Sequence, residues 1–233
     1  MTIVAITNLK KNYELGDMSV EVLRDINITF DRGEYVAIMG PSGSGKSTFL
    51  NILGCLDSPT AGQYLLDNID VSTLSDDELS QIRRSRIGFI FQSFNLISQL
   101  SVLENIEVPL FYQGMHEIES HDRATMLAEQ VGLKHRLKHH PTELSGGEQQ
   151  RVAIARAMAN NPLIILADEP TGNLDSRSGS DILDLLDKLH EEGKTIIMVT
   201  HDDNVARRTQ RIVRFMDGQI HSNENGGKVK LAK

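Results

Sequence analysis

Val36-Ala37-Ile38-Met39-Gly40-Pro41-Ser42-Gly43-Ser44-Gly45-Lys46-Ser47-Thr48-Phe49-Leu50 is the stretch that decides the fold. Val36 to Met39 is a short apolar run that stops at Gly40, as a buried strand running into a loop does. After Ser47 the spacing changes: Phe49, Leu50, Ile52 and Leu53 share one face of a helix. Strand, glycine-rich loop and helix in that order is the context of a phosphate-binding loop. Gly40 and Gly45 let the backbone wrap a phosphate closely. The turn from Pro41 through Ser42, Gly43 and Ser44 builds an anion nest, and the helix points its positive end at the same place. Lys46 can reach the β- and γ-phosphates. Ser47, followed by Thr48, can ligate Mg²⁺, which prefers oxygen ligands. With Gly near 7% of residues in an average protein, a random chain of this length would match the pattern roughly once in a hundred.

The rest of the chain suits a globular α/β protein. It has 233 residues, 39% hydrophobic and 24% charged, with few aromatics and no Trp, so the core is aliphatic. A net charge of −8 argues against nucleic acid as a partner. Cys55 is the lone cysteine and cannot form an internal disulfide, which fits a reducing cytoplasm. The start, Met1-Thr2-Ile3-Val4-Ala5, lacks the features of a signal peptide. No apolar run approaches the ~20 residues that span a bilayer, so any membrane role is expected to run through a partner.

Residues 1–40 read as strand-rich, and residues 61–74 as a turn with short strands. Ser75 with Glu78 predicts a capped helix ending in Arg83, Arg84 and Arg86, a solvated end that suits the helix dipole. Ile87 to Phe91 is a strand candidate. Residues 95–160 read as mostly helical, with a further cap at Ser101 and Glu104. Leu163 to Ala167 is a continuous apolar run, the mark of a central parallel strand. Ile182, Leu183, Leu185, Leu186 and Leu189 form a helix face, and Thr195 to Val199 is another buried strand. Strands alternating with helices predict α/β with a mostly parallel sheet.

Two further groups bear on chemistry. Asp168 and Glu169 follow the Leu163–Ala167 strand. There Asp168 can hold Mg²⁺ and Glu169 can polarise an attacking water as general base, although without the phosphate loop the pair would read as a surface acidic pair ending a strand. Leu144-Ser145-Gly146-Gly147-Glu148 is a helix start capped by Ser145, whose two glycines expose N–H groups to an anion; alone it reads as an ordinary capping box. His135, His139 and His140 lack a ligand spacing and read as a solvated helix end.

Taken in order, these motifs make the chain similar to the ABC-transporter ATPases, whose signature is Leu144-Ser145-Gly146-Gly147. The resemblance covers nearly the whole chain. It implies a P-loop NTPase core (1–94 and 161–222) with a mostly parallel sheet, an N-terminal antiparallel β subdomain, a helical signature subdomain over 95–160 and a flexible tail at 223–233. It further implies ATP and Mg²⁺ as cofactors. Gln92 matches the loop that senses Mg²⁺ and the attacking water. His201 matches the switch histidine on the γ-phosphate, Tyr13 the aromatic that stacks on adenine, and Thr171 to Asp175 the loop that communicates across a dimer. In such ATPases two copies meet head to tail, and Ser145, Gly146 and Gly147 of one chain close on the ATP held by the other. The implied partners are a second copy and membrane permease subunits, at the cytoplasmic face of the membrane.

Leu53-Gly54-Cys55-Leu56-Asp57, Phe91 to Leu96, Glu104 to Leu110 and Ala167 to Asp175 resemble the lipoprotein-release and macrolide-export branch, which implies export or membrane extraction. Little chain follows Ile220 for the regulatory domain that importer ATPases often carry. A division-associated or other non-transport ABC ATPase acting on a membrane partner is the rival reading. Cargo is recognised by the permease, so its identity is not encoded in this chain.

Overall fold

The computed structural model describes residues 1–16 and 18–226. Along the chain run β1 (Thr2–Leu15), β2 (Met18–Asp31), β3 (Tyr35–Met39), α1 (Lys46–Leu53), β4 (Ala61–Leu66), β5 (Ile69–Asp70), α2 (Asp76–Arg86), β6 (Ile87–Ile90), α3 (Val102–Gln113) and α4 (Glu117–Gln130). There follow α5 (Gly146–Met158), β7 (Ile164–Asp168), α6 (Ser176–Glu191), β8 (Thr195–Val199), α7 (Asp203–Ala206), β9 (Arg211–Met216) and β10 (Gln219–Asn225). The chain divides into two compact units, residues 82–192 and the remainder on either side.

The first unit contains an antiparallel sheet in the order β2-β1-β4-β5. Its alternation is that of a strand wet on one face: Ile26, Ile28 and Phe30 are buried while Asn27, Thr29 and Asp31 between them are exposed. The same unit holds β3 between β8 and β9, parallel to both, with β10 antiparallel on the far side of β9. All five residues of β3 and of β8 are buried, as continuous apolar runs in a parallel sheet are. Phe49, Leu50, Ile52 and Leu53 put the apolar face of α1 into this core, where Phe49 meets Phe215 at a ring-centroid distance of 5.0 Å.

In the second unit β6 lies parallel to β7. The helices α3, α4 and α5 pack on one another, α5 also packs on β6, and α6 on α5. Val102, Ile106 and Leu110 of α3, Ala124 and Ala128 of α4, and Val152 to Ala155 of α5 have no exposed surface. Both expected caps form. Ser101 and Glu104 make a reciprocal box at α3, and Ser75 accepts and donates hydrogen bonds with Glu78 at the head of α2.

The structure differs from the sequence reading in two places. The second unit takes in β6, β7 and α6 as well as the helices of 95–160. Of the flexible tail expected over 223–233, Asn223, Glu224 and Asn225 belong instead to β10 and pair with β9, while residues 227–233 lie outside the described residues. Arg84, at the expected solvated end of α2, is exposed, and its guanidinium donates to the Tyr112 carbonyl at 2.8 Å.

Gly88 of β6 decides how closely α5 approaches. A Cβ there would run into the Ala157 carbonyl, which is backbone and cannot swing aside. Gly88→Ala is therefore expected to lower stability by about 1–3 kcal/mol, the cost of overpacking a close contact. Denaturant titration checks this, and an unchanged midpoint would show that α5 shifts freely.

Candidate functional site

The register of the parallel strands determines which residues reach the same edge. In the first unit Ile38 of β3 is level with Val199 of β8. Carried two residues further, that register sets Gly40 level with His201. On the other side Met39 is level with Arg214, which sets Gly40 beside Phe215. A Cβ on Gly40 would strike the Phe215 carbonyl, so glycine is required there for space as well as for its φ of 151°. Gly45 N-caps α1 in a left-handed conformation, φ 97°, with the Leu23 side chain 2.8 Å from where a Cβ would stand. The loop between them is braced from behind, because the Gly218 N–H donates to the Ser44 carbonyl at 3.2 Å.

Lys46 is 9% exposed, and its ammonium donates to the Gly40 and Pro41 carbonyls at 2.8 Å each. The Ser44 hydroxyl oxygen is buried without a hydrogen-bond partner among the described residues. An orphaned donor, a left-handed glycine at the helix start and a lysine curled over the loop fit a phosphate group. Ser42, Gly43 and Ser47 are exposed.

Tyr13 lies on β1, 37% exposed. Its phenol donates to Asp57 Oδ2 at 2.5 Å, and the Thr48 hydroxyl reaches the same phenol. Burial first, and then the Asp57 carboxylate, push the phenol above its ordinary range. Sequence reading missed Lys11 and the role of Asp57 in this cluster. Neither has a spacing that marks it, since residues 11 and 57 meet only in the folded sheet.

The second unit repeats the strand-end arrangement. Ile90 of β6 is level with Ala167 of β7, so the continued register brings Phe91 level with Asp168 and Gln92 with Glu169. Glu169 adopts a left-handed backbone, φ 41°, unusual for a residue other than glycine and a mark of a constrained functional turn. Its carbonyl accepts from the Gly172 N–H at 2.9 Å, which closes the turn. Asn173 bonds Gln92 twice, donating to its carbonyl at 3.1 Å and accepting from its side-chain amide at 3.4 Å. A Cβ on Gly172 would stand 2.6 Å from the Gln92 amide nitrogen.

The signature segment belongs to this same body. Ser145 caps α5 with Glu148 reciprocally. The Ser145 N–H first, with its hydroxyl and Arg136 in support, holds the Glu148 carboxyl below the usual range against the opposing effect of burial. Gly146 and Gly147 occupy the first turn, where N–H groups have no partner within the helix. Both glycines also meet a packing demand, since Cβ atoms there would approach Leu174 at 3.3 Å and Ser178 at 3.1 Å. Gln150, fully buried, donates to the Pro170 carbonyl at 2.7 Å. Asp175 caps α6 by accepting from the Arg177 and Ser178 N–H groups. Arg156, near the far end of α5, donates to the Asn95 carbonyl at 2.6 Å and the Phe94 carbonyl at 2.8 Å; both residues have positive φ. Gln92, the 169–175 turn and the signature helix thus form one hydrogen-bonded assembly. Among the described residues no group of three or more His, Cys, Asp or Glu is placed to hold a metal ion. Mg²⁺ does not require one, because it keeps several waters and takes phosphate oxygens as ligands.

A buried strand running into a glycine loop and helix, with carboxylates at a second strand end, defines the P-loop nucleotide-binding class. A family profile described as ABC transporter matches residues 23–172. YvrO, an ABC transporter ATP-binding protein of Bacillus subtilis, is 51% identical over 223 residues, 96% of this chain and 97% of YvrO. The macrolide export ATP-binding/permease protein MacB of Bartonella henselae is 50% identical over 231 residues, which are 99% of this chain and 35% of MacB. A dimeric structure of the ATP-binding cassette MJ0796 of Methanocaldococcus jannaschii, in a post-hydrolysis state with ADP and Pi, superposes with a TM-score of 0.87. It is 51% identical, covering 95% of this chain and 98% of that one. The chain belongs to the ABC transporter family.

The Arg156 anchor predicts a local effect. Arg156→Met removes both donors to the loop after Gln92, and amide exchange at residues 93–97 is expected to quicken by about tenfold or more, the loss of charged hydrogen bonds. Hydrogen–deuterium exchange resolved by peptide reads this; unaltered protection would mean that other contacts hold the loop.

Proposed function

We propose that this chain is the ATP-hydrolysing subunit of a membrane transport complex of the export or extraction type. The observation that carries the reading is the pairing of strand ends, Gly40 with His201 in one unit and Gln92 with Glu169 in the other, with the signature helix bonded into the second. In the first unit the loop from Gly40 to Thr48 binds the phosphates of ATP through its N–H groups and Lys46, Tyr13 carries the adenine, Ser47 offers Mg²⁺ a hydroxyl, and His201 hydrogen-bonds the γ-phosphate. In the second unit Asp168 and Gln92 would offer oxygens to Mg²⁺. Glu169 orients and deprotonates the attacking water. Bound Mg²⁺ would neutralise charge on the phosphates as it develops in phosphoryl transfer.

Ser145, Gly146 and Gly147 complete the site of a second copy. The capped helix start of α5 supports this role, since it offers N–H groups and the positive end of a helix to a γ-phosphate. Closure then follows ATP, and opening follows its hydrolysis, because the phosphate bridges the two copies only while it is bound. MJ0796 is described as a dimer, and MacB is named as both ATP-binding part and permease, which supports a second copy and a permease as partners here. No helix among the described residues is long and apolar enough to cross a membrane. We place the subunit peripherally on the cytoplasmic face, held there by the permease.

Two measurements test this. Glu169→Gln blocks the water-activating step, and with ATP and Mg²⁺ the variant is expected to elute as a dimer in size-exclusion chromatography and as a monomer without nucleotide. A species that stays monomeric with ATP at micromolar concentration counts against the shared site. Lys46→Ala removes a charge-assisted contact and is expected to weaken ATP binding by at least about tenfold in calorimetry; unchanged affinity would remove Lys46 from the phosphate site.

A further inference from the structure

Asp57 sits just beyond the end of α1, and its hydrogen bonds point both ways. Its N–H donates to the Asn51 carbonyl at 3.3 Å, beside that of Leu56 at 2.8 Å, so the residue is fixed to the last turn of the helix whose first turn carries Lys46 and Ser47. Its carboxylate faces β1. Oδ1 accepts from the Lys11 ammonium at 2.6 Å and from the Ser58 N–H at 2.8 Å, while Oδ2 accepts from the Tyr13 phenol at 2.5 Å. The Lys11 ammonium also donates to the Ser58 carbonyl and stands 4.7 Å from the centroid of the Tyr13 ring. An exposed ion pair would fix little. Here the Lys11 side chain is 12% exposed and that of Asp57 25%, so the pair is largely shielded from water and its geometry is held.

The Tyr13 ring is therefore tethered at its hydroxyl and backed by a cation, while the residue keeps exposed surface. We infer that Asp57 is a positioning residue for base recognition: together with Lys11 it presets the Tyr13 ring as the platform on which the adenine of ATP stacks. The inference rests on the reading of Tyr13 as the adenine-bearing residue and adds what aims it. A ring held before the ligand arrives loses less conformational freedom on binding, and that saving appears as affinity. The tether also references the base platform and the phosphate loop to the same short helix. Burial alone would raise the Asp57 carboxyl, but the bonds from Lys11, Tyr13 and Ser58 outweigh it and hold the acid below its usual range, so it is ionised at neutral pH.

The test compares a ligand that has a base with one that lacks it. Full-length wild type, Asp57→Asn, Tyr13→Phe and Tyr13→Ala are titrated by calorimetry with ATP and with inorganic tripolyphosphate. Asp57→Asn and Tyr13→Phe are each expected to weaken ATP about three- to tenfold, the range of one hydrogen bond, and to leave tripolyphosphate unchanged. Their double variant should lose no more than Tyr13→Phe alone, because Tyr13→Phe already removes the bond to Asp57. Tyr13→Ala should lose more than either. If Tyr13→Ala leaves ATP affinity intact, the base-platform reading fails and the inference with it. If Tyr13→Ala weakens ATP but Tyr13→Phe and Asp57→Asn match wild type, the platform stands and the positioning role is overturned. Equal loss for ATP and tripolyphosphate in Asp57→Asn would likewise overturn it, since Asp57 would then act on the phosphate loop. Tyr13→Phe retains the ring and the acid, so it reads the tether even if Asp57→Asn fails to fold.

Discussion

Parallel pairing of β3 with β8 and β9 is the constraint on which the first unit depends. Parallel strands end at the same edge, and whatever follows each of them is delivered there together. Here that edge receives the turn after Gly40, the turn at His201 and the Phe215 carbonyl. The Phe215 carbonyl leaves no room for a side chain at Gly40. Glycine at position 40 lets the chain leave β3 past that carbonyl and start α1 at Lys46.

The second unit applies the same rule with one pair of strands and then adds polar bonds. Register alone brings Gln92 level with Glu169. Asn173, Gln150 and Arg156 do the rest, since each ties a turn to a neighbour through a backbone carbonyl. Phe94, Asn95 and Glu169 all have left-handed backbones, which cost energy in isolation and persist because these bonds over-determine them. Arg156 ties α5 directly to the loop after Gln92 through the Phe94 and Asn95 carbonyls.

Most of the fold was legible because its signals are local. The β3 run, the α1 face, the capping boxes at Ser101 and Ser145 and the run before Asp168 each declare themselves within a few residues. The hairpin of β9 and β10 went unread, although Asp217-Gly218 between two short runs is a hairpin signal; the polar composition of 219–225 masked a strand with no fully buried residue. The unit boundary near residue 82 was not legible either, because α2 runs through it without a break. At the site, residue types in order were enough to nominate Lys46, Asp168, Glu169 and His201. Asp57 and Lys11 were not, because a carboxylate that meets a strand far from it in sequence leaves no periodic trace.

The brace behind the phosphate loop has a consequence for how the chain is made. Gly218 and Phe215 support the turn at 40–45, yet they lie far downstream, and the whole second unit is synthesised between them. Contacts of such wide sequence separation form late, after their loop-closure entropy has been met. On the ribosome, residues 82–192 can collapse on their own helices while β3 still lacks both of its parallel neighbours. The phosphate loop thus takes its shape only after its braces have emerged, although its own residues, 40–48, are among the first to be made.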